Sequence, residues 1–176
     1  MTALKNGGTP HPDQPRLSRS LHRAEALWRR SGGTLTQLAP DALEGLLVNQ
    51  VAPVASWEAF LRTRITLEID DLVAVAERER LDSHPQSLAL FGDRVTIDYA
   101  VEGGRGVARL HLKEGQARRL REGDLPPFDR PLRFTVLRGK REAARADSIS
   151  DLRRQLDELP RGKPKGDRPH RRHRRR

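Results

Sequence analysis

The chain has 176 residues, 34 Lys+Arg against 24 Asp+Glu, a formal net charge of +10 and no cysteine. That length can bury a stable core without covalent staples, and the missing thiols exclude disulfide frameworks, thiolate metal sites and cysteine nucleophiles. No apolar run approaches ~18 residues and the polar start Met1–Pro10 has no leader character, so a cytoplasmic protein without a membrane partner is expected.

The charge is unevenly placed. Residues 161–176 hold nine Lys/Arg and one Asp, while residues 31–160 hold 19 basic and 21 acidic residues. The body is therefore close to neutral and its ends carry the excess. Within the body, residues 31–82 have a net charge of −5 and residues 83–146 a net charge of +5.

Residues 1–16 are poor in apolar side chains and rich in Pro and Gly, which predicts a tail without a packed core. Leu17, Leu21, Ala24 and Leu27/Trp28 recur at helical spacing, and Ser31-Gly32-Gly33 stops that helix. Pro40 suits the first turn of a second helix, with Leu43, Leu46, Leu47 and Val51 on one face. Ser56 is placed to cap a short helix over 57–63, with Trp57, Phe60 and Leu61 facing inward. Thr66 is the expected cap of a further helix, with the stripe Ile69, Leu72, Val73 and Ala76, ending before Pro85.

The period then changes from helix to strand. Leu88 and Leu90, then Val95, Ile97, Tyr99 and Val101, then Ala108, Leu110 and Leu112 alternate, with turns at Gly92-Asp93 and Gly103-Gly104-Arg105-Gly106. A short helix over 113–121 follows, with Ala117 and Leu120 inward. Leu132, Phe134 and Val136 form a fourth strand, and Asp147 or Ser148 caps a last helix striped by Ile149, Leu152, Leu156 and Leu159. The expected fold class is α+β. It comprises a helical part (17–82), an antiparallel meander of about four strands with its short and closing helices (83–159, one domain with 17–82), and a disordered basic tail (160–176).

Little in the chain points to catalysis. No GxxxxGK[ST] loop is present, and Gly139-Lys140 and Gly162-Lys163 are followed by Arg141 and Pro164. His170 and His173 sit in an arginine run that would repel a metal, and His111 lies between Leu110 and Leu112, so it points to solvent. Asp70-Asp71 and Asp98 read as surface or capping carboxylates. No cofactor, metal or catalytic residue is expected. The tail residues Arg168, Arg171, Arg172, Arg174, Arg175 and Arg176 form a dense cation of the kind that binds phosphate backbones by counterion release. Arg118, Arg119, Arg121, Arg133, Arg138, Lys140 and Arg141 suggest a second basic face near the sheet. Aromatic residues make up 4% of the chain and most fall at core phase, so an aromatic base-stacking platform is not expected.

The stretch His84-Pro85-Gln86-Ser87-Leu88-Ala89-Leu90-Phe91-Gly92-Asp93-Arg94-Val95-Thr96-Ile97-Asp98-Tyr99, with Val107-Ala108-Arg109-Leu110-His111-Leu112-Lys113-Glu114-Gly115 after it, resembles the C-terminal accessory region of bacterial DEAH-box (Hrp-type) ATP-dependent RNA helicases. The motor domains of that family, with their P-loop, DEAH and arginine-finger motifs, are missing from this sequence. The resemblance implies a non-catalytic accessory module that binds RNA or a helicase partner. The alternative is a protein-interaction adaptor that uses the acidic helical half, with the basic tail serving solubility or loose anchoring.

Overall fold

A computed structural model describes residues 11–158. Seven α-helices and five strands are present among these residues: α1 (Gln14–Arg30), α2 (Pro40–Val51), α3 (Trp57–Arg62), α4 (Ile69–Leu72), α5 (Val75–Asp82), β1 (Ser87–Leu90), β2 (Asp93–Glu102), β3 (Arg105–Lys113), α6 (Glu114–Arg119), β4 (Leu132–Arg138), β5 (Arg141–Ala146) and α7 (Ile149–Glu158). The α+β class holds. None of these helices is long and apolar enough to cross a membrane.

The helical half closes around α1. Leu17, Ala24 and Leu27 from α1 share a core with Leu38, Leu43, Leu47, Ile65, Leu67, Val73 and Leu81. The start of α1 is anchored within the stretch expected to lack packing. His11 is buried, and its Nε2 lies 3.0 and 3.1 Å from the carbonyls of Phe60 and Thr63. Its Nδ1 accepts from the amide of Asp13, so the network places the ring proton on Nε2.

Three local expectations for this half are corrected. Thr66 caps no helix: its amide donates to Gln50 Oε1 at 3.0 Å and its carbonyl accepts from Gln50 Nε2 at 2.8 Å. This clamp holds an extended segment that buries Ile65 and Leu67 on alternate positions. The next helix is broken in two, because Val73 takes extended angles (φ −139, ψ 127) and is buried there. Tertiary burial outweighs local helix preference at such a position. Ser56 does cap α3, accepting from the Ala59 amide at 3.1 Å, yet Trp57 is 59% exposed rather than inward.

The sheet has the order β1-β2-β3-β4-β5. It is mixed rather than a meander, since β3 and β4 run parallel with Leu110 opposite Phe134. Parallel neighbours need a crossover, and residues 114–131, including α6, supply it. The fifth strand was not expected. Its sequence REAARA carries only alanine on its inward face, where α7 packs over Ala144 and Ala146. The antiparallel partners of β4 in that strand include Ala146 opposite Phe134.

One sheet face carries Val95, Ile97, Tyr99, Ala108, Leu110, Leu112, Phe134 and Val136, covered by Ala117 and Leu120 and by Ile149, Leu152 and Leu156 of α7. Ser148 caps α7 by accepting from the Asp151 amide at 3.1 Å. The other face is polar and pairs with itself: Arg109 with Glu102, Arg133 with Asp147, and His111 Nε2 with Asp98 at 2.7 Å.

The two halves keep separate cores and meet along a narrow seam. β1 pairs only with residues 93–96 of β2, and the end of α1 packs against the rest of β2. Arg130 spans the seam, donating to the Arg30 carbonyl at 2.7 Å and lying 5.2 Å from the Tyr99 ring centroid. His84 Nε2 lies 3.1 Å from Arg130 Nη2. Asp129 pairs with Arg130 at 2.6 Å, and that guanidinium, with His84 adding to it, holds the Asp129 carboxyl at about 2, below its ordinary 3.8.

A depressed folded-state value contributes stability above the unfolded value and loses it as pH falls through the folded one. Asp129 is half exposed, so screening limits its contribution to about 1 kcal/mol. Asp129→Asn should therefore cost about 1 kcal/mol at pH 7, and the difference from the parent should close between about pH 4 and pH 2. Urea melts across that range check it. A gap that stays constant with pH would show that Asp129 contributes through packing instead.

Candidate functional site

Among the described residues, a concentration of positive charge outside the ion-paired sheet face lies at the end of α6. Arg118, Arg119 and Arg121 line an open groove of about 450 Å³ together with Phe91, Leu120, Asp124 and Arg153. Two elements set this arrangement. Gln116 is buried, accepting from the Lys113 amide at 2.8 Å and donating to Asp93 at 3.2 Å, so it ties the first turn of α6 to the start of β2 beside the β1–β2 turn. Ala117 and Leu120 face the core, which leaves Arg118, Arg119 and Arg121 on the outward side.

Each arginine is held differently. Arg118 pairs with Glu114 at 2.9 Å and donates to the Leu156 carbonyl at 3.0 Å. Arg119 donates to the Gly115 carbonyl, and its guanidinium lies 4.7 Å from the Phe91 ring centroid. Arg121 and Arg153 form no ion pair among the described residues. Arg138 joins the cluster through the same acid, reaching Glu114 at 2.9 Å. The Arg118 guanidinium first, and then Arg138, hold the Glu114 carboxyl below its ordinary range. It therefore stays ionised well into acid and cancels part of the groove's charge.

The expected basic face is thus only partly assembled. Arg118, Arg119, Arg121 and Arg138 come together, and Lys140 and Arg141 follow on the exposed β4–β5 turn, next to Arg138 in the strand register. Arg133 does not join them. It points away from Leu132 and Phe134 as expected, but onto the opposite sheet face, where Asp147 neutralises it. Arg168, Arg171, Arg172, Arg174, Arg175 and Arg176 lie outside the described residues.

Two groove residues escaped the sequence reading. Arg153 follows the core residue Leu152 and lies off the apolar stripe of α7, a signal that becomes useful only when α6 is known to pack beside α7. Phe91 could have been flagged from sequence, because an aromatic before glycine in a two-residue turn departs from turn chemistry. Among the described residues, no group of three or more His, Asp or Glu side chains could hold a metal ion. Set against protein-family models, curated proteins and solved structures, the chain matches none of them.

Proposed function

We propose that the protein is a non-catalytic RNA-binding module that grips phosphates in the Arg118–Arg119–Arg121–Arg153 groove and through its basic C-terminal segment. The observation that carries this reading is convergence. Four arginines from α6, its following turn and α7 line one groove, and the Arg118 guanidinium is bonded to Leu156, two residues before the last described residue of α7. The segment 161–176, with nine Lys/Arg, follows α7 in the sequence. The helicase-like stretch 84–115 supplies the scaffold of β1, β2 and β3, which favours an RNA helicase as the partner the module would serve.

Charge reversal tests this reading. Arg121 and Arg153 support no ion pair among the described residues, so Arg121→Glu/Arg153→Glu should fold normally and bind a short single-stranded RNA at least 10-fold more weakly at low salt. The log–log salt slope should weaken by about 0.7 per lost contact, and deleting 161–176 should weaken it by up to roughly 6 more if all nine tail cations engage. Unchanged affinity and slope in the double variant would remove the groove from RNA binding.

Glu114→Gln makes the opposite prediction. It releases Arg118 and Arg138 from their shared acid and should tighten RNA binding about 3- to 5-fold at low salt, an effect of about 1 kcal/mol. Fluorescence anisotropy would measure it, and weaker binding would show that Glu114 orients the arginines rather than competing with phosphate.

The adaptor reading has one observation of its own, the 59% exposed Trp57 on the acidic half. A protein partner retained after nuclease treatment and lost with Trp57→Ala would favour it.

A further inference from the structure

We propose that the groove takes single-stranded rather than duplex RNA, with one unpaired base stacked on the Phe91 ring. This inference rests on the RNA-binding reading above and adds the class of ligand.

The argument begins with the β1–β2 turn. Leu90 pairs with Asp93, leaving Phe91 and Gly92 as a two-residue loop. Both have positive φ, 54° at Phe91 and 82° at Gly92, the combination of a type I′ turn. Glycine and asparagine reach this region readily, whereas a bulky side chain there is strained. Phe91 is the one non-glycine residue with positive φ among the described residues. Strain of this kind persists where something compensates it, and the core does not, since Phe91 remains 39% exposed.

The ring's neighbours are those a nucleotide would use. The Arg119 guanidinium stands over it at 4.7 Å, forming a surface of ring and planar cation, and Arg118, Arg121 and Arg153 line the same groove. Aromatic faces flanked by cations bind single strands by stacking a base and pairing the adjoining phosphates, with little dependence on base identity. A duplex keeps its base faces stacked internally and offers such a ring only its phosphates. A single exposed ring of this kind is not an aromatic platform, and its role would be to stack one base.

The test compares three fluorescein-labelled probes: a short oligoadenylate, an abasic strand of the same length and an RNA duplex. The parent protein should bind oligoadenylate about 10-fold more tightly than the abasic strand, and more tightly than the duplex. Phe91→Asn creates the favoured Asn-Gly turn, so it should fold at least as stably as the parent while binding both strands equally. Phe91→Trp should keep the preference for bases. Equal parent binding to the two strands, tighter duplex binding, or an unchanged preference in Phe91→Asn would overturn the stacking proposal while leaving the phosphate reading intact. Failure to bind any of the three probes would overturn both.

Discussion

Gly106→Ala is expected to destabilise the protein by about 3 kcal/mol and to lower its thermal midpoint by about 10 °C. Gly106 opens β3 where the end of α1 crosses the β2–β3 hairpin. A Cβ at this position would stand 2.5 Å from the Gly32 Cα and 3.5 Å from its carbonyl carbon and oxygen. These are backbone atoms, so no rotamer change can relieve the overlap, and the two halves must separate along their seam. The other side is equally constrained: Gly32 has a φ of +70°, and a Cβ there would meet the Gly106 Cα at 3.2 Å.

Gly45→Ala provides the contrast within the same protein. Gly45 lies inside α2 with nothing within 4 Å of its would-be Cβ, so alanine should stabilise by about 0.5–1 kcal/mol through helix propensity. Calorimetry on the two variants should give shifts of opposite sign. A Gly106→Ala midpoint within about 2 °C of the parent would mean that the close approach of the two glycines does not hold the seam.

Arg130→Ala should produce the second large effect, a loss of about 2–3 kcal/mol. The Arg130 side chain is only 10% exposed. Its removal leaves the Arg30 carbonyl without its 2.7 Å donor, the Tyr99 ring without its cation and Asp129 with only the longer His84 contact at 3.4 Å. The Arg30 pair with Asp82 at 2.7 Å lies within the helical half and cannot substitute. Because the two halves have separate cores, the loss should also reduce their cooperativity. Hydrogen exchange should show α1 and α5 opening at lower free energy than β2 and β3. Uniform loss of protection across both halves would show instead that they fold as one unit regardless of this bridge.

Much of the architecture was legible because its elements carry their own periodicity. The apolar spacing of α1 and α2, the alternation in β2, β3 and β4, and the serine caps of α3 and α7 all appear as expected. Elements whose identity depends on neighbours were not. β5 has no β-branched residue and consists of alanine opposite α7. The break at Val73 has no glycine or proline to announce it. Extended Ile65–Leu67 exists because Gln50 clamps Thr66. The parallel pairing of β3 with β4 follows from where the crossover deposits the chain, a long-range outcome with no local signature.

The candidate groove divides in the same way. Arg118, Arg119 and Arg121 stand out in sequence because Ala117 and Leu120 set their outward phase. Arg138 joins them only through the shared Glu114, Arg153 only because α7 lies beside α6, and Arg133 leaves them because strand alternation sends it to the opposite face.

Residue order alone thus determined the α+β class, a near-neutral body with basic ends, the lack of thiol chemistry and the phase of most apolar positions. Each follows from composition or from a period of a few residues along one segment. Only tertiary structure decided that the body has two cores that meet where α1 packs on β2, with a glycine contact and Arg130 between them, and which arginines share a groove. It also left Phe91 exposed on a strained turn beside them. Charges act through distances in space, and those distances are set by the packing of segments far apart in the chain.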